Sequence, residues 1–181
     1  MGNDENIKIF HPRKKDFAGS DLTSIAALMD KQRANGNSSK AVILGERLAN
    51  LSPEELCPED AEKLDNTELM QLRALMVFSS QIALHKYLPH TIISTQAVNA
   101  MYAKIEQEHP GFFANISDGS SFSFYYLTVR RNSNPGQEIG KDYAMLCDRD
   151  DNQYLIDLGT RIYRETEDKV LSLIDNFEFE Y

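Results

Sequence analysis

Five side chains close together in the chain carry most of the chemistry this sequence offers: Tyr125, Tyr126, Arg130, Arg131 and Tyr143. Phenols and guanidiniums can stack, donate hydrogen bonds and hold a carboxylate or phosphate in a forked, two-bond grip. Near the start of the chain, Arg13, Lys14 and Lys15 form the basic end of the stretch Ile7-Lys8-Ile9-Phe10-His11-Pro12-Arg13-Lys14-Lys15. If Arg130 and Arg131 face that stretch, the two would make a local anion or acidic-peptide site on a chain whose net charge is −9. These eight residues are the candidate binding set, for a ligand or a partner. The bland reading of the same rings and cations is half core and half solvated rim of a helical bundle.

No catalytic residue, metal ligand or cofactor is assigned, because each motif that would carry one fails on a specific position. Gly136-Gln137-Glu138-Ile139-Gly140-Lys141-Asp142 is one residue short of a phosphate-binding loop and ends in Asp where Ser or Thr would hold magnesium. Asp148, Asp150 and Asn152 match the first ligands of a calcium loop, but position six is Gln153 and position twelve is Gly159. A helix cap from Asp150 or Asp151 is the simpler use of that cluster. His11, His85, His90 and His109 do not show the HExxH spacing that puts two imidazoles on one helix face. Cys57 stands beside Pro58, near a helix start that could acidify a thiol, yet a small buried hydrophobe is its commoner role.

Charge and composition limit the partners. An acidic chain disfavours general nucleic-acid binding, because Lys and Arg neutralising phosphates supply most of that affinity. Residues 1 to 20 sum to +1, which leaves −10 on the rest, and Glu46 to Glu68 holds eight acids against two bases. Such a surface would steer basic partners, although a plain solubilising charge is the simpler account of it. With 41% hydrophobic and 26% charged residues the chain is globular in profile. It has no cationic start leading into an apolar signal segment, and its two cysteines are far apart, so a cytoplasmic location with reduced thiols is expected. Gly2 is followed by Asn6 where a myristoylation signal wants Ser or Thr.

Positioning these residues requires helices. The stretch 67–88 is apolar on nearly every side, opens with Asp65 and Glu68 at capping-box spacing and closes before Pro89, which predicts a buried central helix. Gln71, Arg73, Ser79, Ser80 and Gln81 interrupt it, so it is not a membrane span. Leu22, Ile25, Ala26 and Met29 predict a first helix after Ser20 or Asp21 that ends at Asn35-Gly36. Ser38 opens a second, and Ser52-Pro53-Glu54-Glu55 signals a third. Pro58 restarts the chain after one turn. Residues 89–94 read as a connector with Ser94 or Thr95 capping the next helix, which His109-Pro110-Gly111 stops. Two segments stay open between helix and strand. Phe122, Tyr125, Tyr126 and Val129 fit a helix face capped by Ser117 or Asp118, yet Ser121 to Phe124 alternates as a strand would. Ile139, Tyr143, Leu146 and Cys147 have helical spacing, although 142–158 could form a hairpin. Leu155, Leu158, Ile162, Val170, Leu173 and Phe177 form one stripe of a helix of about 25 residues, nearly 40 Å long, broken only by Thr166.

The expectation is an all-α irregular bundle of six to eight helices around 67–88, with an α+β fold carrying a small antiparallel sheet within 120–158 as the alternative. Residues 1–19 form a basic extended arm and 20–181 a single domain. The leading functional expectation is a non-enzymatic interaction or regulatory module with a protein partner and no membrane. The C-terminal stripe would seal either the monomer or a homodimer. The ending Phe177-Glu178-Phe179-Glu180-Tyr181 is a docking tail or a frayed end. A second expectation is an enzyme or small-ligand protein built on Tyr125, Arg130, Tyr143 and Asp148 to Asp151. A third is an acidic decoy that imitates nucleic acid.

Overall fold

Asp65 accepts hydrogen bonds from the amides of Thr67 and Glu68 (both 2.9 Å), and its own amide donates to the Glu68 carboxylate (2.9 Å). This reciprocal cap starts helix α5 (Asn66–Tyr87), the central helix the sequence predicts. In the computed structural model, which describes residues 19–132 and 134–180, the seven consecutive residues from Ala74 to Ser80 are all buried, so α5 is covered on every side there. The covering comes from its neighbours: α2 (Asn37–Ala49), α6 (Thr91–Glu108), α8 (Ser120–Arg131), α9 (Gly136–Leu146) and α10 (Gln153–Phe177) all touch it. Around these run α1 (Gly19–Ala34), the one-turn helices α3 (Pro53–Leu56) and α4 (Pro58–Ala61), and α7 (Pro110–Ser117).

The fold is all-helical, an irregular bundle, and no strand occurs among the described residues. The strand alternative for 120–158 is therefore replaced by α8, α9 and the start of α10. Asp118 favours the helix by accepting from the Ser120 amide at 2.9 Å, just after Gly119 turns the chain at φ +75°. Ten helices are present among the described residues rather than six to eight, because Pro53 and Pro58 each open a separate single turn. The basic arm lies outside the described residues except for Gly19, which already belongs to α1.

Three local expectations are corrected. The α10 N-cap is Asn152, whose side chain accepts from the Leu155 amide at 3.2 Å, not Asp150 or Asp151. Helix α6 begins at Thr91 with His90 at its cap position, so 91–94 is helix rather than connector. Ser94 is buried there and its Oγ donates to the Thr91 carbonyl at 3.0 Å, a bond made inside the first turn. In α1 the stripe from Ile25 onward does not reach the core: Ile25 and Ala26 are exposed and Met29 is half-buried.

Two glycines allow close helix contacts. A Cβ on Gly45 would overlap the Ala97 carbonyl oxygen, so α2 lies against α6 backbone to backbone. A Cβ on Gly140 would overlap the Ile156 carbonyl oxygen and the Thr160 hydroxyl, which fixes the α9–α10 seam in the same way. The main cluster joins Phe78, Tyr125 and Phe122, with ring centroids 5.2 and 5.6 Å from Phe78. Among the described residues no helix is long and apolar enough to cross a membrane.

Candidate functional site

Helical periodicity splits the candidate set that the sequence places together. Tyr125 and Tyr143 are completely buried. The Tyr143 hydroxyl donates to the Glu68 carbonyl at 3.1 Å, whereas the Tyr125 hydroxyl has no hydrogen-bond partner. Burial raises both phenols well above their ordinary range, so neither offers a phenolate. Tyr126 lies one position, about 100°, around the helix and is exposed. Its oxygen accepts from the Gln81 amide at 2.6 Å, and Gln81 in turn accepts from Tyr102 at 2.7 Å. Arg130 and Arg131 are exposed in the last turn of α8, where their charge complements the helix dipole. Arg13, Lys14 and Lys15 lie outside the described residues.

Reactive groups are held inert or used in bracing. Burial pushes the Cys57 thiol up to about 11 and the Cys147 thiol to about 12, so Cys57 is not acidified by the helix start beside it. The acidic run from Glu46 to Glu68 is met by bases from elsewhere: Arg161 reaches Asp60, Lys169 reaches Glu55 at 3.8 Å, and Arg149 lies 4.0 Å from Asp65. Burial alone would raise the Asp60 carboxyl, but bonds from Tyr154 and Arg161 outweigh it and lower it. Asp142 goes the other way, raised by burial although Thr128 donates to it at 2.6 Å. It lines an open hollow of about 420 Å³ with Lys141, Asp150 and Asp151. No group of three or more His, Cys, Asp or Glu among the described residues could hold a metal ion.

The surface features with the most defined geometry sit on the two flanks of α2. Ala41, Leu44, Gly45 and Leu48 face the core. On one flank Ser38, Val42 and Glu46, spaced four apart, face Gln96, Ala100 and Ala103 of α6 across a groove of about 480 Å³. The Ser38 hydroxyl and the Gln96 side-chain carbonyl are both buried without a protein partner. Val42 and Ile43 are exposed beside it. A smaller hollow of about 250 Å³, lined by Met29, Thr91, Ile92 and Thr95, shares Gln96 and Asn99 with the groove and extends it toward α1.

On the other flank α2 holds a short non-helical piece of this same chain, residues 178–180. The Asn37 side chain, fully buried, donates to the Glu180 carbonyl at 2.7 Å and accepts from the Glu180 amide at 3.0 Å. Gln32 accepts from the same Asn37 amide nitrogen at 2.7 Å and fixes its orientation. Lys40 donates to the Glu178 carbonyl at 2.9 Å. Phe179 is buried between two exposed glutamates, and Arg47 lies 5.2 Å over the Phe177 ring. Glu178 takes φ +49°, the left-handed conformation that turns the tail off the end of α10. Burying Phe179 contributes roughly 2–3 kcal/mol and the two Asn37 bonds roughly 1 kcal/mol each. Ordering three residues costs roughly 1–2 kcal/mol apiece, and the left-handed residue about 1 more. With the Lys40 bond added, the docked tail is therefore held weakly, by no more than about 2 kcal/mol.

The alternation of Phe177 to Tyr181 was the sequence signal for the tail. Nothing comparable marked Asn37, because a short polar residue after Asn35-Gly36 reads as turn chemistry. No protein-family model matches the chain, and searches of curated proteins and of solved structures return no significant match.

Proposed function

We propose that the chain is a non-enzymatic interaction module that binds a segment of another polypeptide across the α2–α6 groove. The observation carrying this reading is the pair of buried, unpaired oxygens, Ser38 Oγ and Gln96 Oε1, at the groove of about 480 Å³, beside exposed Val42 and Ile43. A Gln carbonyl oxygen accepts only, so the fitting partner brings N–H or O–H donors together with apolar side chains. With a net charge of −9 on the chain, basic partners are favoured in the encounter. The free thiols Cys57 and Cys147 agree with a cytoplasmic setting, where such thiols stay reduced.

The test is photo-crosslinking from position 42 in an extract of the source cells. The expected result is one reproducible adduct that Ala100→Arg, which fills the groove, removes. Crosslinks that persist unchanged in Ala100→Arg, or no adduct at all, would contradict the reading.

A second reading, a small-ligand site around Asp142, draws on the raised carboxyl and the 420 Å³ hollow. It predicts that a small organic cation shifts the melting temperature of the native chain and not that of Asp142→Asn.

A further inference from the structure

We propose that the Asn37 seat is a peptide-recognition site for a short aromatic-acidic segment, and that a second copy of this chain can supply that segment in place of the chain's own tail. The seat reads backbone first. One carboxamide satisfies both the N–H and the C=O of Glu180, as a neighbouring strand would, and Lys40 takes the carbonyl two residues earlier. Selection comes from Phe179, which is buried; Glu178 and Glu180 are exposed and add negative charge on the flank of α2 that carries Lys40 and Arg47, without an ion pair to either among the described residues.

The seat is built without the tail. Asn37 is oriented by Gln32, and its amide donates to the Asn35 side chain at 3.1 Å, so the turn between α1 and α2 holds the recognition group in place by itself. The fully buried stripe of α10 ends at Ile174, before the residues that dock, and of those only Phe179 joins the hydrophobic core. Between them lies Glu178 in the left-handed conformation, a hinge whose release into an extended conformation relieves the strain. A weakly held segment, on a prebuilt seat, after a strained hinge, is the arrangement in which identical chains exchange that segment at low cost. A second copy is the occupant argued for, because its sequence is the one whose fit is seen, and reciprocal exchange fills both seats.

The experiment uses a fluorescent peptide with the sequence of residues 177–181 and a chain ending at Phe177. Saturable binding is expected, at least tenfold weaker with Asn37→Ala in the same shortened chain and at least tenfold weaker to the intact chain, whose seat is filled. Should the shortened chain lose helicity by circular dichroism, the full-length Phe179→Ala variant frees the seat without shortening and takes its place. In parallel, sedimentation equilibrium of the intact chain is expected to show a dimer that grows with concentration and is lost in Asn37→Ala. No peptide binding by a folded, tail-free seat overturns the recognition site. Peptide binding together with an intact chain that stays monomeric at every concentration overturns exchange between copies.

Discussion

Helix α10 is fastened at its two ends by opposite means. Its first half meets α9 through a glycine seam: Gly140 lets the Ile156 carbonyl and Thr160 approach, and Gly159 lies against the ring of Tyr143. That contact is close-packed, backbone against backbone, and without room for an added methyl group. Its last turn hands the chain to α2, where polar side chains hold main-chain atoms and a single phenylalanine is buried. A close-packed seam resists change, because interiors transmit any misfit, whereas a few hydrogen bonds at an edge can open singly. The seam is thus the rigid attachment of α10, and the surface proposed to exchange partners lies on α2.

The largest expected effect comes from breaking the seam. Gly140→Val should destabilise the chain by about 3–5 kcal/mol in urea unfolding, since the new side chain meets backbone rather than a flexible tip. A loss below about 1 kcal/mol would mean that the two helices separate freely. Asn37→Ala should cost the global fold no more than about 2 kcal/mol, while carboxypeptidase trims the variant's tail many times faster than that of the native chain.

Two buried tyrosines sharpen the contrast at about 1 kcal/mol or less. Tyr143→Phe removes a bond to the Glu68 carbonyl and should destabilise by roughly that amount. Tyr125→Phe removes a hydroxyl with no partner and should be neutral or stabilising. Thermal melts of both variants measured together would decide it by sign.

The smallest effect concerns the brace between α5 and α10. Glu167 accepts from Lys86 and Tyr87, both at 2.6 Å. Burial raises its carboxyl, but those two bonds and the nearby ammonium outweigh it and bring it below its ordinary 4.5. A depressed carboxyl stabilises the fold above that ordinary value and loses its contribution as the pH falls through the lower folded value. Lys86 is more than half exposed, so the brace is worth less than about 1 kcal/mol. Stability measured from pH 6 down to pH 3 should fall slightly more in the native chain than in Glu167→Gln.

Much of the fold was legible because strong local signals agreed with the tertiary outcome. The Asp65–Glu68 cap, the proline starts at Pro53 and Pro58 and the α10 stripe all depend on neighbours in sequence, and the structure places them as read. Where packing overrode local pattern, reading failed. Ile25 and Ala26 have core spacing, yet no element among the described residues covers them, and Asn152 rather than the acids before it caps α10 because its side chain reaches the Leu155 amide. Tyr125, Tyr126 and Tyr143 looked like one surface group in the linear order. Helix phase sent Tyr125 and Tyr143 inward and left Tyr126 outside. The Asn37 seat joins residues 143 positions apart, a separation that periodicity cannot bridge.

Native-state hydrogen exchange tests the division between seam and seat most directly. Amides of Leu158 to Tyr163 in α10 are expected to exchange only through global unfolding. The Glu180 amide should exchange orders of magnitude faster through local opening, and faster still in Asn37→Ala. A Glu180 amide as protected as the seam, or one indistinguishable from an unfolded chain before any substitution, would contradict the account.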